Sequence, residues 1–163
     1  MPTEPYPLRR SDRAVTDPIE IADILARADC CRVGFADGDS VYIVPLNYGF
    51  VLQDGLPVFY FHGAAEGRKA ALAAASPRVG YELDTDHAPV FADSACGHTF
   101  LYRSILGKGM FSIVTGEAER LFGMQCILRH MTGRGDWPLP APMLEKTAIF
   151  RLTAVTLTAK AHV

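Results

Sequence analysis

The sequence predicts a mainly β protein in which an antiparallel barrel of about six or seven strands carries three flanking helices. Apolar strand-like segments follow one another through short turns, such as residues 37–39 and 54–55, which is typical of hairpins. The regular alternation of strand and helix that marks a parallel sheet is missing. We therefore predict an extended, proline-containing arm over residues 1–15 and a single domain over residues 16–163.

Two short helices have clear boundary signals. Asp17 is a good N-cap, Pro18 suits the first helical position, and Glu20 completes the capping pattern. The second helix is predicted over residues 67–75 and ends before Pro77, because the residue before a proline disfavours helical backbone.

The third predicted helix follows Thr115, with Glu117 and Glu119 in its first turn. Apolar residues at three- and four-residue spacing predict its buried face. That stripe consists of Ala118, Leu121, Met124, Leu128 and Met131. Residues 133–140 are predicted to form a loop.

Seven segments are predicted as strands from their β-branched and aromatic residues. They are residues 31–36, 41–50, 56–62, 78–84, 99–106, 110–114 and 147–158. Pro45 cannot donate a ladder hydrogen bond, so its strand should lie at an edge or contain a bulge. The Gly107–Gly109 stretch predicts a bulge or bend, and residues 85–97 show no periodicity and are predicted to be a loop.

Composition narrows the function classes. The formal net charge is −2 and no basic stripe is present, which argues against a nucleic-acid partner. The cysteines at 30, 31, 96 and 126 form no Cys-x-x-Cys pair, so we expect buried free thiols in a reducing compartment. The first residues do not resemble a signal peptide, and no apolar run approaches the length of a membrane span. The expected location is the cytoplasm.

Several familiar chemistries have no sequence support. Gly107 and Gly109 do not continue into a dinucleotide-binding fingerprint, and no phosphate-binding Walker loop occurs. Ser94 and Ser112 lack the context of a hydrolase nucleophile. Cys96 and His98 lack a second pair of ligands at metal-site spacing, so we predict no metal site and interpret Cys96 as a half-buried loop thiol.

The segment from residue 62 to residue 69 is the strongest candidate site. His62 ends a strand, while Gly63 and Gly67 leave backbone amides accessible. Arg68 can fork onto two phosphate oxygens and Lys69 adds a second positive charge. The alternative is a strand-end histidine followed by an ordinary solvated helix start. We predict a phosphate site, with aromatic and apolar surface for a flat ring on the neighbouring strands.

Several motifs resemble one known family. They are residues 44–49 (VPLNYG), 60–62 (YFH), 66–69 (EGRK), 77–79 (PRV) and 102–109 (YRSILGKG). These segments are similar to those of the FMN-binding split β-barrels related to pyridoxamine 5′-phosphate oxidase. Residues 9–13 (RRSDR) and 129–133 (RHMTG) look like the nitroimidazole-resistance, or Nim-type, branch. The resemblance runs from about residue 9 to the end of the chain.

The resemblance implies a split β-barrel homodimer that holds FMN in a cleft between its subunits. Arg68 and Lys69 would bind the phosphate, with Ser104 as a further candidate. His62 would lie near the ring or the substrate, where it is a candidate catalytic proton donor because its intrinsic pKa is near neutrality. The remaining cofactor-binding residues implied by the resemblance are Val44, Pro45, Leu46, Asn47, Glu66, Gly67 and Trp137, the last from the partner subunit or as a cap on the pocket.

The resemblance leaves the reaction open. It implies a small FMN-dependent oxidoreductase with nitroaromatic, nitroimidazole-type compounds as candidate substrates. The alternative is a haem- or flavin-binding protein without turnover, with His62, His87 or His98 as an axial ligand, and a third possibility is an interaction module with an empty groove. The loop over residues 95–101 lacks a tryptophan expected there, and the C-terminal substrate motif of the pyridoxamine phosphate oxidases is absent.

Overall fold

The computed structural model describes residues 8–75 and 77–163; the first seven residues of the predicted arm lie outside the described residues. Four α-helices occur in this part of the chain: α1 (Pro18–Arg27), α2 (Arg68–Ala74), α3 (Glu117–Thr132) and α4 (Ala141–Lys146). The strands are β1 (Ala14–Val15), β2 (Cys31–Asp37), β3 (Ser40–Leu46), β4 (Gly49–Gln53), β5 (Leu56–Gly63), β6 (Arg78–Val90), β7 (Thr99–Ile113) and β8 (Ala148–His162). The structure has one more helix than predicted, the short α4, and one more strand than predicted, the short β1.

The strands form one antiparallel sheet in the order β3-β2-β6-β7-β8-β5-β4, and β1 pairs with β8. β3 and β4 lie at opposite ends of this order, so the sheet bends into a barrel that is not closed. The predicted antiparallel split barrel is confirmed. Pro45 lies on the edge strand β3, as its missing N–H predicted.

An aromatic cluster fills the barrel. Phe111 meets Phe35 edge-on with ring centres 5.0 Å apart, and it stacks against Phe61 and Phe150 at 5.7 and 5.6 Å. All four side chains are fully buried. Each such burial stabilises the fold by about 1.5–3 kcal/mol, so this cluster fixes the ends of the strands that meet there.

The first helix agrees with the prediction. Asp17 accepts a hydrogen bond from the Ile19 amide at 2.9 Å, and Pro18 begins α1. Ile24 and Leu25 are fully buried against the barrel. Local capping signals and an apolar face both indicate this helix, so the sequence alone was sufficient to predict where α1 begins.

The prediction of one strand over residues 41–50 is wrong, because the chain leaves β3 at Asn47 and Tyr48 before β4 begins. The Tyr48 hydroxyl donates to the carbonyl oxygens of Leu25 and Ala28, at 2.6 and 2.9 Å. The Asn47 amide donates to the Asp29 carbonyl at 2.9 Å. These side-chain bonds to the end of α1 divert the backbone from one edge of the sheet to the other.

The predicted loop over residues 85–97 is also wrong in its first half, because β6 continues to Val90. The pairing of β6 with β7 shifts between Thr85 and Ala88, and Asp86 there has φ of 61°. The two strands predicted on either side of Gly107–Gly109 are one strand, β7, although the expected bulge is present between Lys108 and Gly109. We call the part of the β6–β7 hairpin over residues 85–103 the β6–β7 arm.

The predicted apolar stripe of α3 is correct for Met124, which packs against the core, but it is wrong for other members. Leu121 and Met131 are exposed, whereas Gly123, Cys126 and Ile127 are buried. A Cβ atom at Gly123 would lie 2.7 Å from Cδ1 of Tyr60. The helix therefore packs on the sheet through its glycine, which a count of hydrophobic residues does not register.

Candidate functional site

Arg68 begins α2, after Gly67 with φ of 100°. Its Nε and Nη2 atoms both lie 2.5 Å from Oδ2 of Asp37, the last residue of β2. The guanidinium carbon also lies 4.7 Å from the centre of the Tyr42 ring. The side chain is still 55% exposed, so this cation is held in a fixed orientation at the protein surface.

Lys69 points in another direction. Its ammonium nitrogen lies 4.4 Å from the centre of the Phe150 ring and donates to the His62 carbonyl at 3.3 Å. Burial lowers the pKa of Lys69. A side chain at Gly63 would overlap the Lys69 ammonium, so this glycine makes room for it.

His62 lies near the end of β5 and pairs with Ile149 on β8. The ring is exposed to solvent, but the surrounding protein desolvates it enough to lower its pKa, and the charge of Lys69 lowers it further. At neutral pH the ring is therefore neutral, and its two nitrogens can act as one donor and one acceptor.

The predicted ring-binding segment lies on β3, next to this cluster. Val44 and Leu46 are partly buried against the core, whereas Pro45 and Asn47 are exposed. From Tyr42, which contacts Arg68, the strand runs about 13 Å to Leu46. As the outermost strand in the sheet, β3 also directs alternate backbone groups away from β2. A long flat molecule anchored at Arg68 could thus follow this edge.

Two of the predicted residues lie elsewhere in the same chain. Ser104 pairs with Asp84 on β6 and with Lys160 on β8. It lies about 30 Å along β7 from Ile113. Ile113 pairs with Phe150, the residue that Lys69 contacts, so Ser104 is far from the cations at the start of α2. Trp137 follows α3, where its indole nitrogen donates to Thr132 Oγ1 at 2.9 Å and its ring is 4.6 Å from the Arg134 guanidinium carbon. Glu66 is exposed in the loop before α2. Their roles toward a cofactor remain predictions.

Sequence reasoning missed Asp37 and Tyr42. Asp37 reads as an ordinary turn residue, and Tyr42 as one aromatic position in a strand. Their contacts with Arg68 join residues 26 to 31 positions apart in sequence, so no local pattern signals them.

A cavity of about 1170 Å³ lies over the part of the sheet formed by β2, β6, β7 and β8, with β1 also in its lining. Gly34 and Gly80 face each other on neighbouring strands in its lining, and Ile43 and Leu106 also line it. Arg32 lies at this cavity too, bonded to Glu82 at 3.0 Å and to Asp84 at 2.7 Å. The lining thus combines apolar side chains, the exposed backbone of the two glycines and ion pairs.

The four cysteines are free; Cys31 and Cys126 are buried, but Cys96 is exposed, which corrects the expectation of a half-buried thiol.

Within residues 8–75 and 77–163, no group of three or more His, Cys, Asp and Glu side chains could hold a metal ion. None of the helices described has the length and apolar character to cross a membrane.

An antiparallel barrel that is not closed, with β3 and β4 at the two ends of its strand order, defines a split-barrel protein. The family model described as pyridoxamine 5′-phosphate oxidase matches residues 17–161. The chain belongs to this family, which confirms the resemblance seen in its motifs. No curated protein sequence matches the chain.

Solved structures with the same fold include three informative ones. A candidate 5-nitroimidazole antibiotic resistance protein from Bacteroides thetaiotaomicron is 23% identical with a TM-score of 0.76, over 91% of this chain and 86% of that one. The flavocytochrome Anf3 from Azotobacter vinelandii is 20% identical with a TM-score of 0.79, over 97% and 73% of the two chains. A FAD and haem binding protein from Mycobacterium smegmatis is 18% identical with a TM-score of 0.77, over 91% and 73%. At these identities the likeness shows the fold.

Proposed function

We propose that this protein binds a flavin, with FMN as the cofactor, and acts as a small cytoplasmic oxidoreductase whose candidate substrates are nitroaromatic compounds. The observation that carries the proposal is the exposed, oriented guanidinium of Arg68 at one end of the free edge strand β3. Flavoproteins among the solved structures of the same fold support this choice of ligand. The B. thetaiotaomicron protein supports the choice of substrate class.

The residues present fit a flavin phosphate at Arg68. The guanidinium is planar and accessible, so it can fork onto two phosphate oxygens. Because α2 has only seven residues, the attraction comes from the cations and little from the helix dipole. A bound flavin would supply the hydride or electron transfer. The chain would hold the phosphate at Arg68 and present backbone groups of residues 44–47 to the ring.

His62 is the candidate catalytic residue of this proposal, and its contact with Lys69 places it next to the phosphate-binding end of the site within one chain. Its lowered pKa keeps the imidazole neutral at pH 7, so it accepts a proton or a hydrogen bond more readily than it donates a proton. As a proton donor to substrate it would first have to take up a proton from solvent. Once protonated, it would be a stronger acid than an ordinary histidine.

The proposed active form is a homodimer. Apolar side chains are exposed on the sheet face that borders the cavity, namely Val41 (66%), Ile43 (62%), Leu106 (47%) and Met110 (38%). Large apolar side chains exposed on one face of a sheet are typical of a protein–protein interface. Ser104 and Trp137, which lie apart from Arg68 within one chain, would then act on the flavin of the partner subunit.

Flavin titration with a charge-matched control tests this function. Fluorescence quenching should show FMN uptake by the wild type, and Arg68→Ala should weaken it about 10- to 150-fold, since a charge-assisted bond is worth about 1.5–3 kcal/mol. Lys146→Ala also removes one positive charge, from an exposed position on α4, and should leave the affinity unchanged. Equal affinities for the wild type and Arg68→Ala would remove Arg68 from the site.

The second candidate is haem or flavin binding without turnover. It is favoured by the haem-containing proteins among the structures of the same fold. His87 and His98 are exposed on the β6–β7 arm and its tip, with ring centres 6.2 and 6.0 Å from those of Phe100 and Phe91. A Soret band after haem addition favours this candidate. Anaerobic reoxidation of chemically reduced, FMN-loaded protein by a nitroimidazole favours the oxidoreductase.

A further inference from the structure

We infer that Asp37 sets the ligand selectivity of the proposed flavin site, because it competes with the flavin phosphate for Arg68. The inference rests on the proposed function, since it assumes that a flavin binds at this guanidinium. It predicts that Asp37 weakens the binding of a terminal phosphate dianion and leaves the binding of an uncharged flavin unaffected.

The contact geometry is the first step. Two nitrogens of Arg68, Nε and Nη2, converge on one carboxylate oxygen of Asp37 at 2.5 Å. These two nitrogens form the edge of the guanidinium that usually forks onto a carboxylate or phosphate. The Tyr42 ring, 4.7 Å from the guanidinium carbon, restricts its rotation. A phosphate approaching this edge must therefore replace the carboxylate.

The charge balance is the second step. The positive charge of Arg68 is offset by Asp37, and the Lys69 ammonium faces the Phe150 ring and the His62 carbonyl. Another carboxylate, that of Glu66, lies two residues before Arg68 in the exposed loop. A phosphate that displaced Asp37 would still be close to its negative charge, and like charges at short range repel.

The cost depends on the charge of the ligand. The terminal phosphate of FMN is largely a dianion at neutral pH, whereas the diphosphate of FAD carries about one charge on each phosphorus. Riboflavin has no phosphate. The penalty imposed by Asp37 should therefore be largest for FMN, smaller for FAD and absent for riboflavin.

The experiment measures the dissociation constants of FMN, FAD and riboflavin by fluorescence quenching, for the wild type, Asp37→Asn and Asp39→Asn. Asn keeps the size of the side chain and removes its charge. We expect Asp37→Asn to bind FMN about 3- to 30-fold more tightly, FAD less so and riboflavin as before, from the usual strength of charge-assisted bonds. Asp39 lies two residues further on, in the turn after β2, and is exposed, and its substitution makes the same change in net charge. Asp39→Asn should behave as the wild type.

Two outcomes would overturn the inference. If Asp37→Asn binds FMN no better than the wild type, or more weakly, then Asp37 holds Arg68 in place for the phosphate instead of competing with it. If both substitutions strengthen FMN binding equally, the effect is one of net charge alone. Failure of every variant to bind any flavin would instead overturn the proposed function, and the inference with it. Circular dichroism verifies folding, and Asp37→Ser provides a second uncharged variant.

Discussion

The Lys69 ammonium lies over the Phe150 ring, with 4.4 Å between the nitrogen and the ring centre. Phe150 in turn stacks on Phe111 at 5.6 Å, so this cation covers one end of the aromatic cluster in the barrel. In the structure, Lys69 contacts the core, whereas Arg68 is the cation oriented at the surface.

Lys69→Ala should therefore lower the free energy of unfolding. The loss of a partly desolvated cation–π contact and of the packed aliphatic stem predicts a cost of about 1–2 kcal/mol. Urea denaturation monitored by circular dichroism measures it. Lys146→Ala, on the exposed surface of α4, is the control and should change stability by less than about 0.5 kcal/mol. A Lys69→Ala variant as stable as the wild type would mean that the ammonium is available for a phosphate.

The pKa shift of His62 predicts a pH dependence of stability. Burial and the Lys69 charge lower its folded-state pKa below the unfolded value of about 6.5. Between these two values the unfolded chain binds more protons than the folded one, so stability rises with pH through this window. His62→Gln should reduce that rise, as measured by denaturation at about pH 5 and about pH 8. The same slope in the wild type and His62→Gln would assign the pH dependence to other groups.

Gly49 provides a test of how α3 packs on the sheet. A Cβ atom at this position would overlap the backbone of Cys126 and Ile127 in α3. Gly49→Ala should force the helix away and cost about 1–3 kcal/mol or more. Gly80→Ala is the matched control, because a Cβ atom there would have open space within 4 Å, and the stability should change by less than about 0.5 kcal/mol. Equal denaturation midpoints would show that α3 moves freely at this contact.

The comparison of sequence and structure shows which signals are local. The Asp17 cap, the hairpin turns and the edge position of Pro45 depend on one or two neighbouring residues, and all were predicted correctly. The break between β3 and β4 depends instead on the Tyr48 hydroxyl, whose partners Leu25 and Ala28 are more than 15 residues away. No pattern within residues 41–50 reveals those partners.

The candidate site shows the same division. Adjacent cations after a glycine were visible at positions 67–69, because residue type and order carry that information. The sequence did not show that Arg68 meets Asp37 while Lys69 turns toward Phe150. Side-chain direction at the start of α2 is set by neighbours from β2 and β8, and hence it follows only from the tertiary fold.

The β6–β7 arm depends on an ion-pair network at its base. Arg103 lies 2.5 Å from Glu20 and 3.1 Å from Asp86, and Arg27 also bonds to Asp86. The Arg103 and Asp86 side chains are only about one-fifth exposed, so solvent screens their pairing weakly.

Arg103→Gln should therefore loosen the arm while the barrel stays folded. Hydrogen exchange should become faster over residues 85–103, by about tenfold or more if the lost contacts are worth about 1.5–3 kcal/mol. Arg78→Gln removes an exposed arginine from the opposite end of the same hairpin, at the start of β6, and should leave exchange in the arm unchanged. Faster exchange throughout the protein would indicate global destabilisation instead.

The apolar face proposed as the dimer interface is tested by placing a charge on it. Ile43 is 62% exposed on β3, and burying a glutamate there without a partner would cost several kcal/mol, enough to shift a dimer to monomer. Ile43→Glu should therefore elute as a monomer in size-exclusion chromatography with light scattering, where the wild type elutes as a dimer. Ile19→Glu makes the same substitution at a side chain of α1 that is 80% exposed, and it should remain dimeric. A monomeric wild type, or a dimeric Ile43→Glu, would contradict this interface; the latter would direct the search to another surface for the contacts of Ser104 and Trp137.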